Sequence, residues 1–187
     1  MKSGLLLGAL IIGGLGAAQA ATYGKLEHVQ LYGGGKPLEV SARLDPQAGQ
    51  SILSATDVKY FNKENELWVR FTVDNGSVLP GNHIVMQRPL LKDVRIKQND
   101  GATEHRPLID MDICVGEQNL KVQLSVRDRT GYTAPLVLGK SDLDKIGATI
   151  TEHEFTHEPS CQPPGSEAPI DVTTVPKGDA QTTAPAK

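Results

Sequence analysis

Leu67-Trp68-Val69-Arg70-Phe71-Thr72-Val73 reads as a strand. Leu67, Val69, Phe71 and Val73 fall on one face and Trp68, Arg70 and Thr72 on the other, the period of two that a half-buried strand requires. The same alternation returns in Leu120, Val122, Leu124 and Val126, spaced by Lys121, Gln123 and Ser125, and in Ile109, Met111, Ile113 and Val115, spaced by Asp110, Asp112 and Cys114. Weaker strands are expected over Lys25–Tyr32, Val40–Leu44, Val78–Met86 and Val94–Lys97. Turn signals separate them: Gly33-Gly34-Gly35, Asp74-Asn75-Gly76, Asn99-Asp100-Gly101 and Gly116-Glu117. One short helix is expected, with Ser141 placed to cap it, Asp142 and Asp144 in its first turn and Gly147 at its end. Many short strands and one helix make an all-β fold, a small barrel or sandwich.

Composition narrows the function. The chain has 187 residues, 39% hydrophobic and 22% charged, with a net charge of −3. That suits one domain with appendages. Aromatics at 4% do not provide a base-stacking platform, and mild acidity does not suit a phosphate-backbone binder, so nucleic acid is excluded as a partner. No repeat of fixed period is apparent.

Both ends read as lying outside the fold. Residues 1–20 carry Lys2, an apolar stretch from Leu5 to Leu15 and the small-x-small site Ala18-Gln19-Ala20, the three parts of a signal peptide cleaved before Ala21. The apolar run is shorter than the ~20 residues a membrane span needs. No second such run follows, so the mature chain is expected in the periplasm or outside the cell without a membrane span. Residues 162–187 contain Pro163, Pro164, Pro169, Pro176 and Pro185 among small and polar residues, the composition of a disordered tail. The folded domain is then 21–161. In an oxidising compartment two cysteines favour one bridge, Cys114–Cys161; the alternative is two free thiols, with Cys114 buried.

Three motifs need weighing. His153-Glu154-Phe155-Thr156-His157 matches the zinc-peptidase pattern H-E-x-x-H, which requires a helix to put both His on one face. Ile150 to Thr156 is rich in β-branched residues and alternates like a strand, where positions i and i+4 lie roughly 13 Å apart. No metal site is expected there. Gly139-Lys140-Ser141 resembles the end of a phosphate-binding loop, but Pro135-Leu136-Val137-Leu138 before it reads as a buried strand. Asp45 follows the apolar strand Val40-Ser41-Ala42-Arg43-Leu44 and opens the turn Pro46-Gln47-Ala48-Gly49.

Two segments together resemble the bacterial retropepsin-like aspartic peptidases, a family also described as ATP-dependent zinc proteases. The first is Ala42-Arg43-Leu44-Asp45-Pro46-Gln47-Ala48-Gly49-Gln50-Ser51-Ile52-Leu53-Ser54-Ala55, followed by Trp68-Val69-Arg70-Phe71. The family reads Ala-Lys-Ile-Asp-Thr-Gly-Ala, a Ser-rich stretch ending Leu-His-Ala, then Trp-Val-Arg-Phe. The second runs from Asn99-Asp100-Gly101 through Arg106-Pro107 to Asp128-Arg129-Thr130-Gly131 and Pro135-Leu136-Val137-Leu138-Gly139-Lys140. There the family has Glu-Arg-Pro, Asp-Arg-Ser/Thr-Gly and Pro-Leu-Leu-Leu-Gly-Arg. The resemblance covers roughly residues 24–154.

It implies a closed retropepsin-like β-barrel and a homodimeric endopeptidase without a cofactor. Asp45 would be the catalytic carboxylate and would share a proton with its mate across the dimer. Pro46, Gln47 and Ala48 would lie against a polypeptide substrate, and Leu138 and Gly139 would support the catalytic loop. The signature Asp-Thr-Gly reads Asp45-Pro46-Gln47 here: Pro46 has no hydroxyl and no N–H, and Gln47 puts a side chain where glycine allows close approach. A catalytically inactive relative that binds a peptide or protein partner is the alternative.

Overall fold

The computed structural model describes residues 21–33, 36–74, 83–132 and 134–165. The expected signal peptide, and the tail from residue 166 onward, lie outside the described residues.

In chain order the elements are β1 (Thr22–Tyr32), β2 (Leu38–Asp45), β3 (Ser51–Ser54), β4 (Thr56–Lys63), β5 (Glu66–Asp74), β6 (His83–Pro89), β7 (Lys92–Lys97), β8 (Thr103–Val115), β9 (Gln118–Arg127), β10 (Leu136–Gly139), α1 (Lys140–Lys145) and β11 (Thr149–Glu154). The large sheet runs β11-β1-β2-β10-β3-β9-β8-β7, and a further pairing of β1 with β8 closes it. The closed ring is therefore β1, β2, β10, β3, β9 and β8: an all-β barrel of six strands, with β11 and β7 added outside it. Closure leaves those six strands without a free edge.

The period-two stretches supply the core. Val69, Phe71 and Val73 on β5, Ile109, Met111, Ile113 and Val115 on β8, and Val122, Leu124 and Val126 on β9 are all buried. Leu67 shares parity with the first set but is 45% exposed, because it opens β5 beyond the rim of the core. β4, β5 and β6 form a separate three-stranded sheet. Its Val69, Phe71, Val73 and Met86 join the same apolar cluster as the barrel strands. Arg88 on β6 ties this sheet to the end of β1, donating to the carbonyls of Tyr32 and Gly33.

Several expectations shift. β3 and β4 carry no strong alternation; β4 is mostly exposed, and its turn into β5 uses Glu64 and Asn65, both with positive φ. That is the backbone of a tight hairpin turn without the glycine that usually announces one. The weak strand expected over Val78–Met86 is described only from His83, where β6 begins and runs to Pro89. The helix starts at Lys140, with Gly139 rather than Ser141 as N-cap. The Lys140 N–H, which has no acceptor within the helix, is held by the Ala48 carbonyl at 2.9 Å. In the H-E-x-x-H stretch, β11 ends at Glu154 and the chain turns at Phe155, φ +52°. His157 therefore leaves the strand altogether.

Beyond that turn, residues 155–162 lie back along the barrel. Their anchor is Glu27, a fully buried carboxylate. It accepts the N–H of Gly24 at 2.6 Å, the N–H of His157 at 2.9 Å and the Thr156 hydroxyl. Cys161 is bonded to Cys114, so Cys114 is wholly buried although its strand face also carries Asp110 and Asp112.

Candidate active site

Asp45 is the last residue of β2. β10 runs parallel beside it, with Gly139 opposite Asp45 and Leu138 opposite Leu44. β10 also pairs antiparallel with β3, so the loop 46–50 that joins β2 to β3 must cross the end of β10. The crossing is close. A Cβ on Gly139 would stand 2.7 Å from the Ala48 oxygen and 2.9 Å from the Gln50 carbonyl carbon, so only glycine fits there.

The loop is held from both sides. The Ala48 N–H donates to the Asp45 carbonyl at 3.0 Å, closing a turn with Pro46 in the second position, where its fixed φ fits. The Gln47 N–H donates to Asp45 Oδ1 at 3.0 Å. On the far side the Gly139 N–H donates to Ser51 Oγ at 2.9 Å, and that hydroxyl donates to Asp142 Oδ2 at 2.6 Å. Both Ser51 and Asp142 are buried. Lys145 Nζ neutralises the other oxygen, Asp142 Oδ1, at 2.6 Å. Ser54, where the family motif has His, accepts the Arg129 N–H at 3.1 Å.

Asp45 has one cationic partner among the described residues. Arg43 Nη2 pairs with Asp45 Oδ2. Arg43 and Arg129 line a cavity of about 40 Å³ with Tyr132, Ala134 and Val137. The Arg129 guanidinium lies 4.2 Å over the Tyr132 ring. Burial above all, with Arg127 and Arg43 adding repulsion, lowers the Arg129 pKa below the usual guanidinium value. Arg129 Nε and Nη1 and Arg127 Nε are buried and have no hydrogen-bond partner among the described residues. Donors left in that condition favour an anionic ligand.

Thus Asp45, Pro46, Gln47, Ala48, Leu138 and Gly139 come together at one end of the barrel. Pro46 and Gln47 are exposed beside Asp45, whose side chain is 19% exposed.

The family model for the retropepsin-like aspartic endopeptidase RimB matches residues 22–155. The chain belongs to the RimB-like family. That match takes in every strand of the barrel and the Asp45 loop. Among curated relatives of this RimB-like chain, a protein of Parasynechococcus marenigrum named "Probable alpha-L-glutamate ligase" is 26% identical over 137 residues, 72% of this chain. One of the same name from Desulfotalea psychrophila is 25% identical over 101 residues, 54% of this chain. The matches span only 28% and 22% of those ligases' lengths. A solved Legionella pneumophila protein of unknown function has the same fold: TM-score 0.61 at 22% identity, over 74% of this chain and 98% of that one.

No local feature of the sequence gives Ser51 or Arg43 a role, and Asp142 reads there only as a helix-start charge. The Ser51–Asp142 pair joins residues far apart in sequence, and no local pattern announces it. Arg129 stands in the sequence only as part of the turn motif Asp128-Arg129-Thr130-Gly131, and nothing local marks Arg127. A separate groove, about 470 Å³, lies between β4–β5 and β7–β8, lined by Tyr60, Leu67, Leu90, Asp93, Arg95 and His105. There Tyr60 donates to Asp93 at 3.0 Å, and His105 Nδ1 stands 2.7 Å from the same carboxylate.

Proposed function

We propose that this chain is an aspartic endopeptidase in which Asp45 of two copies forms the reacting pair, acting on acidic polypeptides outside the cytoplasm. The observation that carries the reading is the crossing at Gly139, which presents Asp45 at a strand end on a loop braced from beneath. With two such carboxylates face to face, repulsion keeps one protonated. The ionised one takes a proton from water as its oxygen bonds to the peptide carbon. The protonated one donates to the carbonyl oxygen, and collapse breaks the C–N bond with a proton delivered to nitrogen. The unpartnered N–H groups of Arg127 and Arg129 fit acidic side chains, and the glutamate-ligase name of the two relatives is consistent with that class. Export rests on residues 1–20.

A second reading, a non-catalytic binding module, is favoured by Pro46 and Gln47 and by Arg43 occupying Asp45 Oδ2. The experiment is incubation of the purified chain from residue 21 with an unfolded acidic polypeptide at mildly acidic pH, read by mass spectrometry. Cleavage that persists in EDTA and disappears in Asp45→Asn supports the peptidase. Binding without cleavage supports the module. Cleavage that survives Asp45→Asn but stops in EDTA overturns both.

A further inference from the structure

We propose that His28, Glu39 and Glu158 form a binding site for a divalent transition-metal cation, with zinc the best match, which fastens residues 155–162 to the barrel. His28 lies on β1 and Glu39 on β2. In their antiparallel register His28 faces Ser41 and Gln30 faces Glu39, which puts both side chains on the outward face. Glu158 arrives from the segment after β11. Its position does not depend on attraction to His28: the Phe155 N–H is held by the Leu26 carbonyl at 2.7 Å, the His157 N–H by Glu27 and the Ser160 N–H by the Gly116 carbonyl at 2.8 Å.

The geometry suits one ion. His28 Nδ1 lies 3.1 Å from each Glu158 oxygen and 4.0 Å from Glu39 Oε1. One ligand atom from each residue lies within 4.8 Å of the others. Ligands each ~2.1 Å from zinc stand roughly 3–4 Å apart, so small side-chain adjustments complete the set. One imidazole with two carboxylates suits zinc or its transition-metal neighbours rather than magnesium or calcium, which take oxygen alone. The Phe155 ring, 4.5 Å from the His28 ring, fixes the imidazole plane. Side-chain exposures of 32% for His28 and 70% for Glu158 leave room for water as the remaining ligand.

The test uses zinc chloride on the EDTA-stripped full chain, read by titration calorimetry and thermal unfolding. One ion per chain and a raised Tm are expected, with no rise from magnesium. His28→Ala and Glu158→Gln should each weaken zinc binding by about tenfold or more, whereas His153→Ala, outside the cluster, should not. Glu158 is largely exposed, so its variant folds even where His28→Ala does not. Absence of zinc binding, or unchanged affinity in Glu158→Gln, overturns the proposal.

Discussion

Asp45 is followed by Pro46 in the chain and paired with Arg43, and the proposed chemistry turns on its immediate neighbours. Gly139 is the neighbour with least freedom. Gly139→Ala forces the Ala48 and Gln50 backbone away, and an overpacked site of this kind costs about 1–3 kcal/mol. The expected outcome is a lower Tm, with greater amide exchange in residues 45–50 than in β8; a uniform change would contradict it. A second set of residues controls pH response. Burial acts to raise the Asp93 carboxyl, but hydrogen bonds from His105, Tyr60 and Arg95 outweigh it and hold it below the usual carboxylate value. Its contribution is therefore present above the ordinary carboxylate pKa, ~3.9, and is lost as pH falls through the lower folded value. Burial and the bond to Asp93 push Tyr60 up to about 12. Its contribution is complete below the ordinary phenol value of 10.0 and is lost as pH rises through about 12. The stability gap between wild type and Asp93→Asn should narrow toward pH 2, measured by urea unfolding. A gap independent of pH would show that Asp93 is not the group responsible.

Among the elements, the segment after β11 stands out because it has no regular hydrogen-bond ladder and yet is fastened at several points. Glu27 is the central one, satisfying two backbone N–H groups and a hydroxyl from the protein interior. Glu27→Ala leaves the His157 N–H without its acceptor and the Gly24 N–H with the Thr156 hydroxyl alone, at about 1–3 kcal/mol for a donor that stays dry. The variant should unfold at markedly lower denaturant, and its residues 155–162 should become sensitive to protease. The bridge from Cys114 to Cys161 spans 47 residues. In the chain-entropy model that is worth about 4 kcal/mol. The Cys161→Ser variant should lose much of this, and the effect should vanish when both proteins are compared under reduction. Alkylation of the denatured, unreduced protein should find no free thiol.

For the whole molecule, closure of β1 on β8 makes a barrel whose loop 45–50 offers one carboxylate per chain, Asp45, so the proposed activity belongs to a pair of copies. Specific activity should fall on dilution. Mixing in Asp45→Asn protein should suppress activity by more than simple dilution does, because mixed pairs are inactive; strict proportionality would argue for a monomer. The alternation in Leu67–Val73, Ile109–Val115 and Leu120–Val126 determined an all-β core, because a strand's side-chain period is a local property of its backbone. Leu136-Val137-Leu138-Gly139 reads as a buried strand for a different local reason, its unbroken apolar run. The position of Asp45 between strand and turn was also local. Tertiary structure alone decided that β10 would lie between β2 and β3, that Ser51 would meet Asp142 beneath the loop, and that Arg129 would lie near Arg43 and Arg127. It alone decided that His157 would turn away from His153 toward Glu27. Those are meetings of residues distant along the chain. They follow from barrel closure and burial, and no periodicity in a single stretch encodes them.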